Sequence, residues 1–321
     1  MPDMGLQRRE LLIGLGAAAL IGPAVATPAA PRDERWTDAR RQREVPLRLR
    51  LPAGEGPAGL VIYSHGLGGD LDAGTRWAKA WQQAGLAVLN LQHAGSDRAI
   101  FRGGMGGARA AANVEQLLAR CEDVVFVLDR LAQLQQEPGW QRLRLDAIGM
   151  AGHSFGAQTT LVLAGRRFAG GASLGEPRLR AFAAFSPAVG GARDKLPAEA
   201  YSGIGAITRP LLCLTGSLDG DPLSGERSGH YRRQVYEALP PGAKAELWLE
   251  GADHMSFGGG LADRPLLRRA AQTRAAEPGH QALIARISSD WWRAWLLGDA
   301  QALEALRLPA GLATGDEWRQ G

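Results

Sequence analysis

Residues Gly152-His153-Ser154-Phe155-Gly156 decide how this chain folds. They follow a short apolar run, Ala147-Ile148-Gly149-Met150-Ala151, and precede a helix-like stretch, Ala157-Gln158-Thr159-Thr160-Leu161-Val162-Leu163. That order reads as strand, tight turn and helix with a serine at the apex, the pattern of a nucleophile elbow. A serine in such a turn holds a strained backbone, and bulky neighbours would clash where the strand folds back onto the helix. The helix N-terminus then aims free N–H groups at the place where an oxyanion would form. Glycine and serine are common, so the pentapeptide alone also fits an ordinary strand-to-helix turn. The two readings part on whether an acid and then a histidine follow it.

Both do. Arg209-Pro210-Leu211-Leu212-Cys213-Leu214-Thr215 reads as a buried strand running into Gly216-Ser217-Leu218-Asp219-Gly220-Asp221-Pro222. Ala245-Glu246-Leu247-Trp248-Leu249 alternates as a strand and ends in Gly251-Ala252-Asp253-His254-Met255. An acid and a histidine each lie just past a strand's C-terminal end, the edge where open α/β sheets place their sites. Ser154 needs a histidine to take its proton, and the histidine needs a carboxylate to fix its tautomer.

Of the six histidines, only His254 lies after the acid and at the end of the last strand. His65 and His93 end other strands, His153 lies inside the elbow and should point away from Ser154, and His230 and His280 fall in loop or helix-like stretches. Asp219 is preferred as the acid, since Asp253 adjoins the histidine too closely to reach its ring. Asp221 is the reserve candidate, and a losing carboxylate would cap backbone N–H groups in its turn.

A further apolar strand ends in Val61-Ile62-Tyr63-Ser64-His65-Gly66-Leu67-Gly68-Gly69. Two backbone donors are needed to hold an oxyanion, and they are assigned to the N–H groups of Leu67 and Phe155. Phosphate cradling is the other use of such glycines, but no G-x-x-x-x-G-K-[ST] or G-x-G-x-x-G at a strand-to-helix turn is present.

These motifs together resemble the α/β-hydrolase superfamily: Ser64-His65-Gly66-Leu67-Gly68-Gly69, Gly152-His153-Ser154-Phe155-Gly156, Gly216-Ser217-Leu218-Asp219 and Asp253-His254-Met255-Ser256-Phe257. Within it, the chain is most similar to bacterial predicted dienelactone hydrolases and platelet-activating-factor acetylhydrolase-like esterases, a likeness shared by Leu91-Gln92-His93-Ala94-Gly95-Ser96-Asp97. The resemblance spans about residues 45 to 260. It implies the α/β-hydrolase fold, the triad order Ser154, Asp219, His254, and carboxylic-ester chemistry. It departs at the nucleophile: true dienelactone hydrolases use cysteine where this chain has Ser154, which favours ordinary esters as substrates.

The chain body agrees with an α/β architecture, a mostly parallel central sheet flanked by helices on both faces. Residues 45–51, 60–64, 86–91, 146–151, 181–185, 211–214 and 245–249 read as strands. Residues 113–135 form the clearest helix, with Val114, Leu117, Leu118, Cys121, Val124, Val125, Leu128 and Leu131 at three-to-four spacing. Asn113 with Gln116 suggests a capping box. Residues 280–297 and 301–306 form a helical tail whose Trp291, Trp292 and Trp295 read as packing anchors. Alternating strands and helices argue for a sheet covered on both faces. With no linker and no repeat, residues 27–321 are expected to form one domain.

Three loops are placed to shape a substrate pocket: 95–107, which carries Phe101 and Met105, 186–208 and 255–260. His153, Met255 and Phe257 are the pocket residues expected beside the nucleophile, together with Phe155. No long apolar lid is apparent, so short acyl groups or small esters are favoured.

The N-terminus sets the expected compartment. Gln7-Arg8-Arg9-Glu10-Leu11-Leu12-Ile13 leads an Ala/Gly/Leu-rich run to Ala24-Val25-Ala26, an A-x-A pattern. Charged, apolar and small-residue regions in that order read as a signal peptide over residues 1–26. The paired arginines suggest the twin-arginine route, hence a periplasmic or secreted protein. The run is too short and glycine-rich for a stable membrane span in the mature protein. The net charge of +4 (37 Lys+Arg against 33 Asp+Glu) carries no basic stripe with interleaved aromatics, so no nucleic-acid partner is expected. Cys121 and Cys213 need not pair, Cys213 reading as a small buried hydrophobe. No C-x-x-C or H-E-x-x-H occurs, so neither metal nor cofactor is expected. The partner is a small-molecule ester.

Overall fold

The structure, a computed structural model, describes residues 28–189, 195–260 and 271–321. The signal-like residues 1–26 lie outside the described residues.

The strands are β1 (Arg32–Asp38), β2 (Arg43–Arg50), β3 (Ala58–Ser64), β4 (Ala87–Leu91), β5 (Leu143–His153), β6 (Leu179–Phe185), β7 (Leu211–Leu218), β8 (Lys244–Asp253) and β9 (Glu317–Gln320). The helices are α1 (Thr75–Gln83), α2 (Gly104–Ala111), α3 (Val114–Leu134), α4 (Phe155–Ala164), α5 (Ala198–Ile204), α6 (Arg233–Ala238), α7 (Ala271–Leu297) and α8 (Ala300–Arg307). The strands form one sheet in the order β1-β2-β4-β3-β5-β6-β7-β8-β9. The stretch from β4 through β8 is parallel, while β1, β2 and β9 join antiparallel at the edges.

Period-two alternation sends each central strand's side chains into two separate cores. On β3, Leu60 and Ile62 face one core, and Val61 and Tyr63 the other. On β7, Leu211 and Cys213 take the first face, and Leu212 and Leu214 the second. Helices α3 and α4 cover the first face through Leu117, Cys121, Val124, Leu161 and Leu163. Helices α1 and α7 cover the second through Trp77, Trp81, Ile284, Ile287 and Trp292. With both faces buried, the inner strands are apolar over most of their central positions, as expected of parallel strands.

The seven expected strands are present, with β5, β6, β7 and β8 extended by two to five residues. Strands β1 and β9 were not anticipated, because their sequences, Arg-Asp-Glu-Arg-Trp-Thr-Asp and Glu-Trp-Arg-Gln, are polar edge strands with little to bury. The α3 stripe differs in detail. Val114 is 62% and Leu118 36% exposed, while Arg120, Asp123 and Val127 are buried on the inward face. Asn113 caps α3 by accepting from the Gln116 N–H at 2.8 Å, but among the described residues the Gln116 side-chain oxygen makes no return bond. Trp291 and Trp292 are buried against the sheet as expected, whereas Trp295 is partly exposed. Cys121 and Cys213 are free thiols, both buried. No described helix is long and apolar enough to cross a membrane.

The chain runs from β3 to β4 on one side and then crosses to β5 on the other, so the strand order reverses between β3 and β5. Crevices at such reversals open at the strands' C-terminal ends. Ser64 pairs with Gly152 there, which brings the turn after β3 beside the elbow after β5.

Candidate active site

Ser154 joins β5 to α4 with φ 56° and ψ −113°, a left-handed conformation that a side chain rarely adopts. Its N–H bonds to the Phe185 carbonyl at 2.9 Å, fixing the elbow to β6. The flanking glycines have a steric reason. A Cβ on Gly152 would lie 2.3 Å from the Gly156 backbone, and one on Gly156 would lie 2.0 Å from the Ser64 carbonyl oxygen. Strand, helix and the neighbouring turn therefore meet closer than any side chain permits.

Across the edge, β7 and β8 each end in one titratable partner. His254 Nδ1 donates to Asp219 Oδ1 at 2.7 Å. Thr215 Oγ1 donates to Asp219 Oδ2 at 2.9 Å. Asp219 has no exposed surface. Burial would push its carboxyl up, but the Arg232 charge and the His254 hydrogen bond outweigh it, holding the pKa below the ordinary carboxylate value. The group is thus an ionised acceptor that orients the histidine and leaves Nε2 for the reacting side. Of the other acids weighed, Asp221 caps the Leu223 N–H at 2.9 Å, and Asp253 caps Met255 and Ser256, both at 3.0 Å. Both serve turns, and the carboxylate at His254 is Asp219.

Arg232 was not singled out from sequence. It is buried, with Nε 3.0 Å from Asp219 Oδ1, and it donates to the carbonyls of Asp219, Ser186 and Gly220 at 2.7–2.8 Å. Its Nη2 lies 3.2 Å from His254 Nδ1. A lone arginine in a short helical turn (residues 230–232) gave no signal, because its partners come from β6 and β7.

The expected oxyanion donors sit on the two touching turns. Phe155 is the first residue of α4, where an N–H has no intrahelical acceptor. Leu67 belongs to the turn after β3, and a Cβ on neighbouring Gly66 would lie 3.4 Å from Ser154 Cβ. The next two N–H groups are already used, Gly68 on Ser96 O at 2.8 Å and Gly69 on Gly66 O at 3.0 Å.

The expected pocket residues divide. Met255 is half-buried beside His254. His153 is turned into the protein rather than lining a pocket: its ring lies 4.6 Å from that of His254 at a tilt of 43°, and Nε2 donates to the His254 carbonyl at 3.0 Å. Burial, with His254 close by, holds its pKa well below the ordinary imidazole value, so it is neutral. It braces the histidine loop. Phe257 corrects the reading more plainly. It is wholly buried in the α1–α7 core with Trp77 and Tyr63, because its short helical turn folds the ring inward. Phe101 presents apolar surface at the turn after β3. Its ring covers Gly68, where a Cβ would lie 2.2 Å away, and the residue is 41% exposed. Helix α2 follows it, and Arg109 reaches the Leu223 carbonyl at 3.2 Å, linking the loops after β4 and β7. The Met105 side chain, and residues 190–194 of the 186–208 loop, lie outside the described residues. No group of three or more potential metal-ligating side chains occurs among the described residues.

A dienelactone hydrolase from Anabaena variabilis is similar in structure, at 20% identity and TM-score 0.52, with 83% of this chain and 99% of that one covered. An esterase domain of a Rhodothermus marinus protein is similar at 16% identity and TM-score 0.51, with 84% and 100% covered. The chain has the α/β-hydrolase fold. No protein-family model and no curated protein sequence matches it. In an α/β-hydrolase the nucleophile, acid and histidine follow one another in chain order on the strands' C-terminal edge. Ser154 after β5, Asp219 at the end of β7 and His254 after β8 occupy that order here.

Proposed function

We propose that the protein is a serine hydrolase that cleaves carboxylic esters, with short acyl groups or small esters as substrates. The observation that carries the reading is the pairing of a strained Ser154 at a strand-to-helix elbow with a buried Asp219–His254 hydrogen bond of 2.7 Å on the same sheet edge. A scaffold would have no use for a strained serine, two glycines without room for a Cβ, and an ionised acid with no exposure.

In the proposed mechanism His254 Nε2 takes the Ser154 proton as Oγ attacks the ester carbonyl. Leu67 and Phe155 N–H groups hold the oxyanion, and Asp219 stabilises the imidazolium. His254 then protonates the leaving alcohol, and water repeats the sequence to free the acid. Phe101 and Met255 supply apolar surface for a small acyl group. The twin-arginine pattern at Arg8-Arg9 supports export as the setting of this activity.

Hydrolysis of p-nitrophenyl esters from acetyl to palmitoyl tests the reading. Activity should peak at short chains, and Ser154→Ala should lower kcat at least about a thousand-fold with the fold retained. Near-wild-type turnover by the variant sinks the assignment. Product analysis with a competing alcohol or an amide separates hydrolysis from acyl transfer and amide cleavage.

A further inference from the structure

Beneath the Leu67 turn lies a second Ser-His-Asp array that cannot be a reaction centre, because Ser64, His93 and Asp123 have no exposed surface. Every proton in it can be placed. His93 Nδ1 donates to Asp123 Oδ2 at 3.0 Å, and Ser64 Oγ donates to His93 Nε2 at 2.9 Å. Ser64 Oγ in turn accepts from Arg120 Nη2 at 2.9 Å. Arg43 and Arg41 reach Asp123 Oδ1 from outside at 2.7 and 2.9 Å. Burial pulls the His93 pKa down to about 4, so the ring is neutral at neutral pH. Asp123 is held at about 2: burial opposes ionisation, but the His93 and Arg43 hydrogen bonds outweigh it. Burial lowers Arg120 to about 9, which still leaves it charged, with Asp123 as the nearby counter-charge.

Arg120 spends that charge on both presumed oxyanion turns. On the first, Nη2 bonds to the His65 carbonyl, two residues before Leu67. Nη1 donates to Ser96 Oγ at 2.8 Å, and the Ser96 carbonyl holds the Gly68 N–H, one residue after Leu67. On the second, Nε donates to Thr159 Oγ1 at 3.1 Å, and the guanidinium lies 4.8 Å from the centre of the Phe155 ring. Leu67 is therefore bracketed on both sides, and Phe155 is gripped by its own side chain and by the next turn of α4. We propose that Arg120 is a positioning residue that sets the spacing of the Leu67 and Phe155 N–H groups, with the buried Ser64–His93–Asp123 array holding it in place. The inference rests on the esterase reading above.

Its chemical consequence is specific. Oxyanion donors act on the transition state more than on the bound ester, so mis-spacing them lowers kcat and leaves KM nearly alone. Lysine keeps the charge but lacks the planar fork needed to reach Ser64, Ser96 and Thr159 at once.

The test compares wild type, Arg120→Lys and Ser96→Ala in p-nitrophenyl acetate hydrolysis, thermal unfolding, and binding of an alkyl trifluoromethyl ketone. The ketone forms an oxyanion on the serine, and the matching secondary alcohol, which cannot, serves as control. For Arg120→Lys we expect kcat to fall about ten- to a hundred-fold, KM to change less than about two-fold, and ketone affinity to fall in step with kcat. Alcohol affinity should stay at the wild-type value. Ser96→Ala, a smaller change that keeps the test intact if the lysine variant does not fold, should move the same readouts in the same direction by about three- to ten-fold. A lowered Tm with unchanged kcat and unchanged ketone affinity in the folded variants overturns the proposal and leaves Arg120 a purely structural residue. An inactive wild type overturns the esterase reading, and this inference with it.

Discussion

Arg232 places a buried positive charge against both members of the Asp219–His254 pair. Its three carbonyl bonds fix the loop after β7, and its charge keeps Asp219 ionised despite full burial. Removing the positive charge beside Asp219 favours the protonated form of its carboxyl. In Arg232→Met the acidic limb of the kcat/KM profile should therefore move to higher pH. Arg232→Lys, which keeps the charge, should leave the limb near the wild-type position. Profiles of p-nitrophenyl acetate hydrolysis between about pH 4 and 9 read this out, since they report the essential groups of the free enzyme. Coincident limbs in wild type and Arg232→Met would mean that the charge has no part in keeping Asp219 ionised. The glycines belong to the same scale. Their role was readable from sequence, because only glycine fits where an elbow touches a neighbouring turn. The arginine's role was not, because it depends on contacts twelve and more residues away.

At the scale of elements, two helices matter most. Helix α3 carries Arg120 and Asp123 on its buried face among Leu117, Cys121, Val124 and Val127. The signal was present in the sequence, since Arg120 lies three residues after Leu117 and four before Val124, on the apolar stripe. Charged residues on a stripe break its pattern, and such breaks tend to mark functional or positioning sites. Reading the stripe by its apolar members alone placed Val114 and Leu118 inward and passed over the charges. Helix α7 shows the reverse case, where the expectation of packing holds for Trp291 and Trp292. Trp291 Nε1 donates to the Phe182 carbonyl at 3.0 Å, and Trp292 meets Trp81 edge-on with centroids 5.7 Å apart. The Trp292 ring also presses on Gly149 of β5, where a Cβ would lie 2.7 Å away. The strand that delivers Ser154 is thus backed by α7. Trp292→Ala should cost about 3–5 kcal/mol in urea denaturation, the range for a large buried aromatic. A loss under about 1 kcal/mol would show that α7 is dispensable packing.

At the scale of the whole molecule, the parallel strands were legible because most are short, largely apolar runs, which suit a sheet buried on both faces. The edge strands β1 and β9 were not, because polar edge strands look like loops until a partner is known. The site followed the same division. Asp219 and His254 could be paired from sequence, since the ends of β7 and β8 lie side by side on one sheet edge. The inward turn of His153 and the burial of Phe257 depend on how short loops fold back, which no local pattern records. The buried array under Leu67 joins β3, β4, α3 and α4, and only the assembled fold shows it. Ser154 is proposed as an activated nucleophile. Intact-mass and peptide mapping after treatment with an alkyl fluorophosphonate tests it most directly. The account predicts one adduct per chain, on Ser154, absent from Ser154→Ala and formed far more slowly by His254→Ala. No adduct on the folded protein, or one that persists in Ser154→Ala, would contradict it.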